Sequence, residues 1–186
     1  LAMHRRKHGK EIEEFTKRHD RVRLLEDTDG DGRADRATVF ADQFNQIESG
    51  PAAGVLALRD EVLLTSIPDL WRLEDADRDG RAEKRASLSH GYGVHVGFRG
   101  HDMHGPMLHV DGRIYFTIGD RGLHVETPEG VVSLPHQGAV LRCNRNGSGL
   151  EIFHSGLRNP QDLCADDFGN LFTGDNNSDG GDKARL

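Results

Sequence analysis

Two short acidic runs hold the densest set of potential ligands in the sequence. Asp27, Asp29, Asp31 and Asp35, set around Gly30, Gly32 and Arg33, follow the pattern D-x-D-x-D-G-x-x-[DE]. A near copy recurs about 48 residues later as Asp75, Asp77, Asp79, Arg81 and Glu83. Carboxylates at alternate positions of a tight turn converge, glycine supplies the positive φ, and a backbone carbonyl at Arg33 or Arg81 fills a gap. Hard oxygen donors arranged in this way suit Ca²⁺. An EF-hand would close on a bidentate Glu at position twelve, where these loops carry Thr38 and Ala86. The expected role is structural, pinning a hairpin whose acidic loop would otherwise repel itself; the bland alternative is a pair of solvated acidic turns.

A second constellation is imidazole. His90, His95, His101, His104, His109 and His124 crowd residues 90–124. On a backbone that is not helical, His-x-x-His spacing says little about zinc. Three readings stay open: zinc ligands, structural histidines, and a general base at His101. A neutral imidazole suits the last role because its unperturbed pKa, about 6.5, lies near working pH.

The elements that must carry these groups are short strands. Residues 107–110 and 113–118 flank Asp111-Gly112, a hairpin turn predicted to need φ > 0 at both positions. Gly105-Pro106 forbids a helix just ahead. His101, Asp102 and His104 are therefore expected as a polar cluster at a strand entrance. Strands are predicted at 21–26 and through 38–40, on either side of the first acidic loop. Those at 54–58, 61–67, 70–74 and 85–88 form one four-stranded unit. Another comprises 106–110, 113–118, 139–142 and 150–154, with 124–137 inserted as a loop over one face. A further unit starts at 161–165 and 170–173. Even spacing with an internal copy favours the blades of a β-propeller over a β-sandwich. The prediction is an all-β chain: a lead-in at 1–20 with at most a short helix over 11–17, then a partial propeller at 21–186 of about three to three and a half blades. Six blades would need roughly 290 residues, so the chain is read as a fragment.

Bulk properties narrow the classes. The 186 residues carry a net charge of −7, which argues against a nucleic-acid surface. No apolar run approaches the ~18 residues of a membrane-spanning helix. Cys143 and Cys164 form neither C-x-x-C nor C-x-x-C-H, so a metal knuckle, a redox dithiol and a c-type haem attachment are absent from this sequence. A disulfide between them and two buried free thiols both remain open.

The stretch His101…Ile114-Tyr115…Gly119-Asp120, together with GLRNPQDLCADDFGNLF at 156–172, resembles the soluble quinoprotein glucose/sorbosone dehydrogenases. Over residues 21–185 the chain is also similar to the branch of that superfamily found as membrane-bound dehydrogenases in planctomycete-type bacteria, often fused to cytochrome c-like segments. The resemblance implies a six-bladed β-propeller using pyrroloquinoline quinone and calcium to oxidise a sugar or polyol hydroxyl. It implies His101 as the catalytic base, with Asp102 or His104 orienting the imidazole. Arg158 and Asn159 would contact the quinone, and Arg158 would also stabilise its reduced form. Asp175, Asn176 and the residues after them, 177–179, occupy the place of the family's cofactor calcium loop, here richer in side-chain oxygens. The family's basic residues for the quinone carboxylates have no match, leaving Arg99 and Arg121 as local substitutes. Gly-Pro-Asp-Gly of the family's hairpin is replaced by His109-Val110-Asp111-Gly112. Further implications are an extracytoplasmic location, periplasmic or membrane-associated, a cytochrome c electron acceptor, and haem c only in regions outside this sequence. The rival functions are a non-catalytic calcium-binding propeller for glycans or proteins, and a calcium-dependent lactonase-like hydrolase.

Overall fold

A computed structural model describes residue 9 and residues 16–95 and 100–176. The short helix expected over 11–17 lies mostly outside these residues, as do Arg99 and 177–179. Among the described residues there is no α-helix, and fourteen strands form five antiparallel sheets. Strands β1 (Asp20–Glu26) and β2 (Arg36–Phe44) pair as a hairpin across the first acidic loop. Strands β3 (Ala52–Ala57), β4 (Val62–Ser66), β5 (Asp69–Glu74) and β6 (Lys84–His90) make a four-stranded meander, with the second acidic loop between its last two strands.

The next four-stranded sheet has the order β12-β11-β8-β7, from β7 (Met103–Leu108), β8 (Ile114–Ile118), β11 (Gly138–Cys143) and β12 (Glu151–Leu157). Between β8 and β11 the chain forms a separate hairpin of β9 (Leu123–Thr127) and β10 (Gly130–Leu134). The insertion expected as a loop is thus a ribbon, whose alternating Leu123 and Val125 are fully buried. The short strands β13 (Cys164–Ala165) and β14 (Leu171–Phe172) close the described residues.

Two local expectations are corrected. Strand β7 starts at Met103, so His104 sits within the strand, and Gly105-Pro106 falls inside a register irregularity between His104 and Met107. Proline lacks the N–H that a regular ladder needs, and such irregularities are where it is tolerated. In the β7–β8 turn only Gly112 has positive φ, at 81°; Asp111 does not. The Gly112 N–H donates to the His109 carbonyl at 2.9 Å, which makes a longer connection than the two-residue turn.

Strand periodicity explains the packing. Along β8, Ile114, Phe116 and Ile118 point into a core shared with Leu63, Ile67 and Leu70 of the preceding sheet and with Leu123 and Val125 of the ribbon. Tyr115, between them, faces the other way, onto Val140, Leu163 and Leu171. Likewise Leu63 of β4 joins the central core while Leu64 packs on Ala41 and Phe44 of the first hairpin. Each four-stranded sheet is therefore covered on both faces by the sheets before and after it in the chain. Sequences buried on both faces read as apolar runs rather than strict alternation, as VLLTS and IYFTI do. Each fully buried Leu, Ile or Phe contributes roughly 1.5–3 kcal/mol.

Candidate active site

The site forms where β8 ends. Gly119 follows it, and a Cβ there would lie 2.8–2.9 Å from the backbone of His101. Only glycine allows this approach, which is secured by the Gly119 N–H donating to the Asp102 carbonyl at 3.1 Å. The next residue, Asp120, accepts a hydrogen bond from His101 Nδ1 at 2.7 Å. A carboxylate only accepts, so Nδ1 carries the proton; in the neutral form of this tautomer the lone pair lies on Nε2. His101 is 5% exposed. Asp120 is the residue that sequence reasoning missed; the signal was the Gly-Asp pair at a strand end.

Asp102 and His104, the expected orienting residues, go elsewhere. Asp102, 1% exposed, pairs with the Arg121 guanidinium and also accepts the Gly100 N–H at 3.3 Å. His104 Nε2 donates to the Gly100 carbonyl at 3.0 Å. Arg121, expected as a local substitute for the family's basic residues, pairs with Asp102 and donates to the His95 carbonyl.

The second motif is drawn to the first through the backbone. The Asp120 N–H donates to the Arg158 carbonyl at 2.7 Å, and Thr117 Oγ1 donates to the Pro160 carbonyl at 2.7 Å. The Arg158 N–H lies 3.0 and 3.1 Å from the two Asp175 oxygens, and the Asn159 N–H donates to Asp175 Oδ1 at 2.7 Å. His101, Arg158, Asn159 and Asp175 thus belong to one hydrogen-bonded assembly, although their segments are far apart in sequence. Asp175 is buried, and its carboxylate organises the backbone of the Arg158-Asn159 turn. Asn176 is exposed beside it. The side-chain Oδ1 of Asn159, a residue 6% exposed, is buried without a hydrogen-bond partner among the described residues. Such an atom ordinarily costs roughly 1–3 kcal/mol, so it marks a place where a donor belongs.

The acidic loops lie apart from this assembly. Oxygens of Asp27, Asp29 and Asp31 come within 4.8 Å of one another, as do those of Asp75, Asp77, Asp79 and Glu83. Asp27 accepts the Gly32 and Gly30 N–H groups, which hold its carboxyl below the usual range. Asp35 does not join its cluster: it accepts from Thr28 N at 3.0 Å and Thr28 Oγ1 at 2.7 Å. Glu83, its counterpart, does join, so the second loop gathers four carboxylates and the first three. Arg33 and Arg81 give their backbone N–H groups to Asp31 and Asp79. The second loop also touches the first hairpin, with the Ala82 N–H donating to the Phe40 carbonyl at 2.8 Å.

The remaining histidines are dispersed. His90 bonds Asp69, His124 bonds Ser133, His109 bonds the Gly169 carbonyl, and His95 stacks on His136 at 4.4 Å. Among the described residues no cluster of three potential metal ligands includes a histidine, which leaves the zinc reading without a site there. Both cysteines are free, Cys143 buried and Cys164 exposed. Among the described residues no helix is long and apolar enough to cross a membrane.

Fold and site together define an all-β protein of successive antiparallel sheets, with a buried histidine bonded to a half-exposed carboxylate at the junction between two of them. The chain belongs to the family described as a domain of unknown function, DUF7133, whose model matches residues 3–184. No match was found among curated proteins or among solved structures.

Proposed function

We propose that the chain is part of a β-propeller dehydrogenase that oxidises a sugar or polyol hydroxyl, with His101 as the base. The observation that carries this reading is the His101–Asp120 hydrogen bond of 2.7 Å, joined through the Asp120 N–H to the segment bearing Arg158 and Asn159. Supporting the propeller, each four-stranded sheet packs face to face between its neighbours in chain order.

In the mechanism, Asp120 fixes the tautomer so that Nε2 can take the hydroxyl proton, and its charge stabilises the imidazolium that forms. Arg158 supplies a permanent planar cation. The buried Asn159 amide has an unfilled hydrogen bond, which fits a polar cofactor in a way that a purely structural Asn would not. Arg158 and Asn159 would hold pyrroloquinoline quinone, which when bound supplies the hydride acceptor. The acidic loops offer the hard oxygen donors that Ca²⁺ takes, and the second, with four carboxylates and a bond to the β1–β2 hairpin, is the better-built of the two. There calcium would pin two sheets together rather than take part in the reaction.

The test uses the full-length protein with calcium, titrated with pyrroloquinoline quinone, while dye reduction is followed over a panel of aldoses and polyols. Saturable quinone binding and dye reduction abolished by His101→Gln support the reading. Absence of quinone binding, with calcium still raising Tm, would leave a calcium-pinned scaffold instead.

A further inference from the structure

Two adjacent residues after β8 grip two adjacent residues ahead of β7. Asp120 holds the His101 ring, and Arg121 pairs with Asp102. Asp120 and Arg121 lie side by side in the turn closed by the Gly122 N–H donating to the Gly119 carbonyl at 3.0 Å, so both grips come from one short hydrogen-bonded turn. A carboxylate as deeply buried as Asp102 demands a charged or hydrogen-bonded partner. Arg121 supplies it, and its Nε also donates to the His95 carbonyl at 3.1 Å, tying in a third segment. Gly50 walls the pair from the other side: a Cβ on it would lie 3.3 Å from Asp102 Oδ1 and 3.2 Å from Ile67 Cβ. The same peptide unit is pressed against Gly119, whose N–H donates to the Asp102 carbonyl.

We propose that the Arg121–Asp102 pair, walled by Gly50, is a positioning device that sets the His101–Asp120 hydrogen bond. Arg121 is the hub. Its fork serves Asp102 and the His95 carbonyl at once, whereas a lysine ammonium is a single compact charge on a flexible stem and cannot hold that geometry. Loss of the fork frees the 101–102 unit to turn, and His101 swings away from Asp120 while Asp102 keeps a counter-charge. The consequence for turnover rests on the reading of His101 as the base; the hydrogen bond itself does not.

The experiment follows the His101 Nδ1–H proton by NMR in the full-length, ¹⁵N-histidine-labelled protein, assigned with His101→Gln. Arg121→Lys and Gly50→Ala are compared with wild type, and Gly50→Ala leaves every charge in place. The expected result in both variants is an upfield shift of this resonance and solvent exchange about tenfold faster. If the enzyme reduces dye, kcat falls with KM little changed, since a misplacement near 1 Å costs on the order of 10²-fold. A lower Tm with an unmoved Nδ1–H resonance in both variants would reduce the pair to a structural role. Should Arg121→Lys fail to fold, Gly50→Ala decides alone. Should wild type reduce no dye, the dehydrogenase reading fails, while the resonance still judges the positioning device.

Discussion

The backbone N–H of Asp120 donates to the carbonyl of Arg158 at 2.7 Å. The residue that orients the His101 ring is thereby fastened to the segment that would face a cofactor. One short turn therefore sets both the partner of the His101 ring and the position of the Arg158 backbone.

Asp120→Asn tests the orientation of the ring. The amide can donate as well as accept, so it no longer enforces protonation at Nδ1. Substrate-dependent dye reduction is expected to fall by about 10²–10⁴-fold, the usual range for a positioned acid–base group. Saturable quinone binding should persist. Equal kcat in mutant and wild type would remove Asp120 from the mechanism.

Asn159→Leu separates folding from binding. It replaces a buried acceptor that has no partner with an apolar side chain of similar size. Tm of the ligand-free protein is therefore expected to hold or rise, because an unmet acceptor costs roughly 1–3 kcal/mol. Quinone affinity should drop at the same time. A large fall in Tm without ligand would mean that Asn159 serves the fold alone.

Stability is expected to depend on pH through carboxylates held below their ordinary range, and on calcium if the acidic loops bind it as proposed. Asp27 is held low by the Gly32 and Gly30 N–H groups, Asp35 by Thr28, and Glu151 by Arg113 and Arg142. A folded-state pKa below the unfolded one means stability that is present above the ordinary values of 3.8 for Asp and 4.5 for Glu and lost as pH falls through the depressed ones. Tm should be flat from pH 7 to about 5 and decline below that. Calcium should raise Tm at pH 7, and less at pH 4. Asp77→Asn should reduce the increment and speed exchange of the Ala82 amide, which bonds Phe40; an unchanged Ala82 amide would dissociate that loop from the hairpin.

The thiols should be chemically unequal. Burial pushes the Cys143 thiol up to about 11, while Cys164 is exposed. At pH 8 iodoacetamide should alkylate one cysteine per native chain, and Cys164→Ser should abolish the reaction. Rapid labelling of Cys143 would contradict its packing within the central core.

Most strands were legible because their signals are local. LLTS and IYFTI are apolar runs bounded by Gly, Pro or acidic turns, and the duplicated acidic loop marked two hairpins. The β9–β10 ribbon was hidden by Pro128, although Leu123 and Val125 alternate with His124 and Glu126 as a half-buried strand requires. The site was legible only in part. His101 and the Arg158-Asn159 turn were marked out by their resemblance to known motifs, but Asp120 and Arg121 owe their roles to where β8 ends in space. Gly119 was the one local clue, since a glycine at a strand end can mean another backbone lying against it.

A chain whose sheets bury each other in succession behaves thermodynamically like a row of coupled units, each stabilised chiefly by its two neighbours. The His101–Asp120 pair and the Arg158–Asp175 turn belong to different units of that row, tied at their boundary by Thr117, Asp120 and the packing of Tyr115 on Leu163. Sub-global opening at this boundary would disassemble the candidate site while the β7–β8–β11–β12 sheet stayed formed. A substitution at Tyr115 or Leu163, remote from any reacting atom, would then act as a loss-of-function change at full secondary structure.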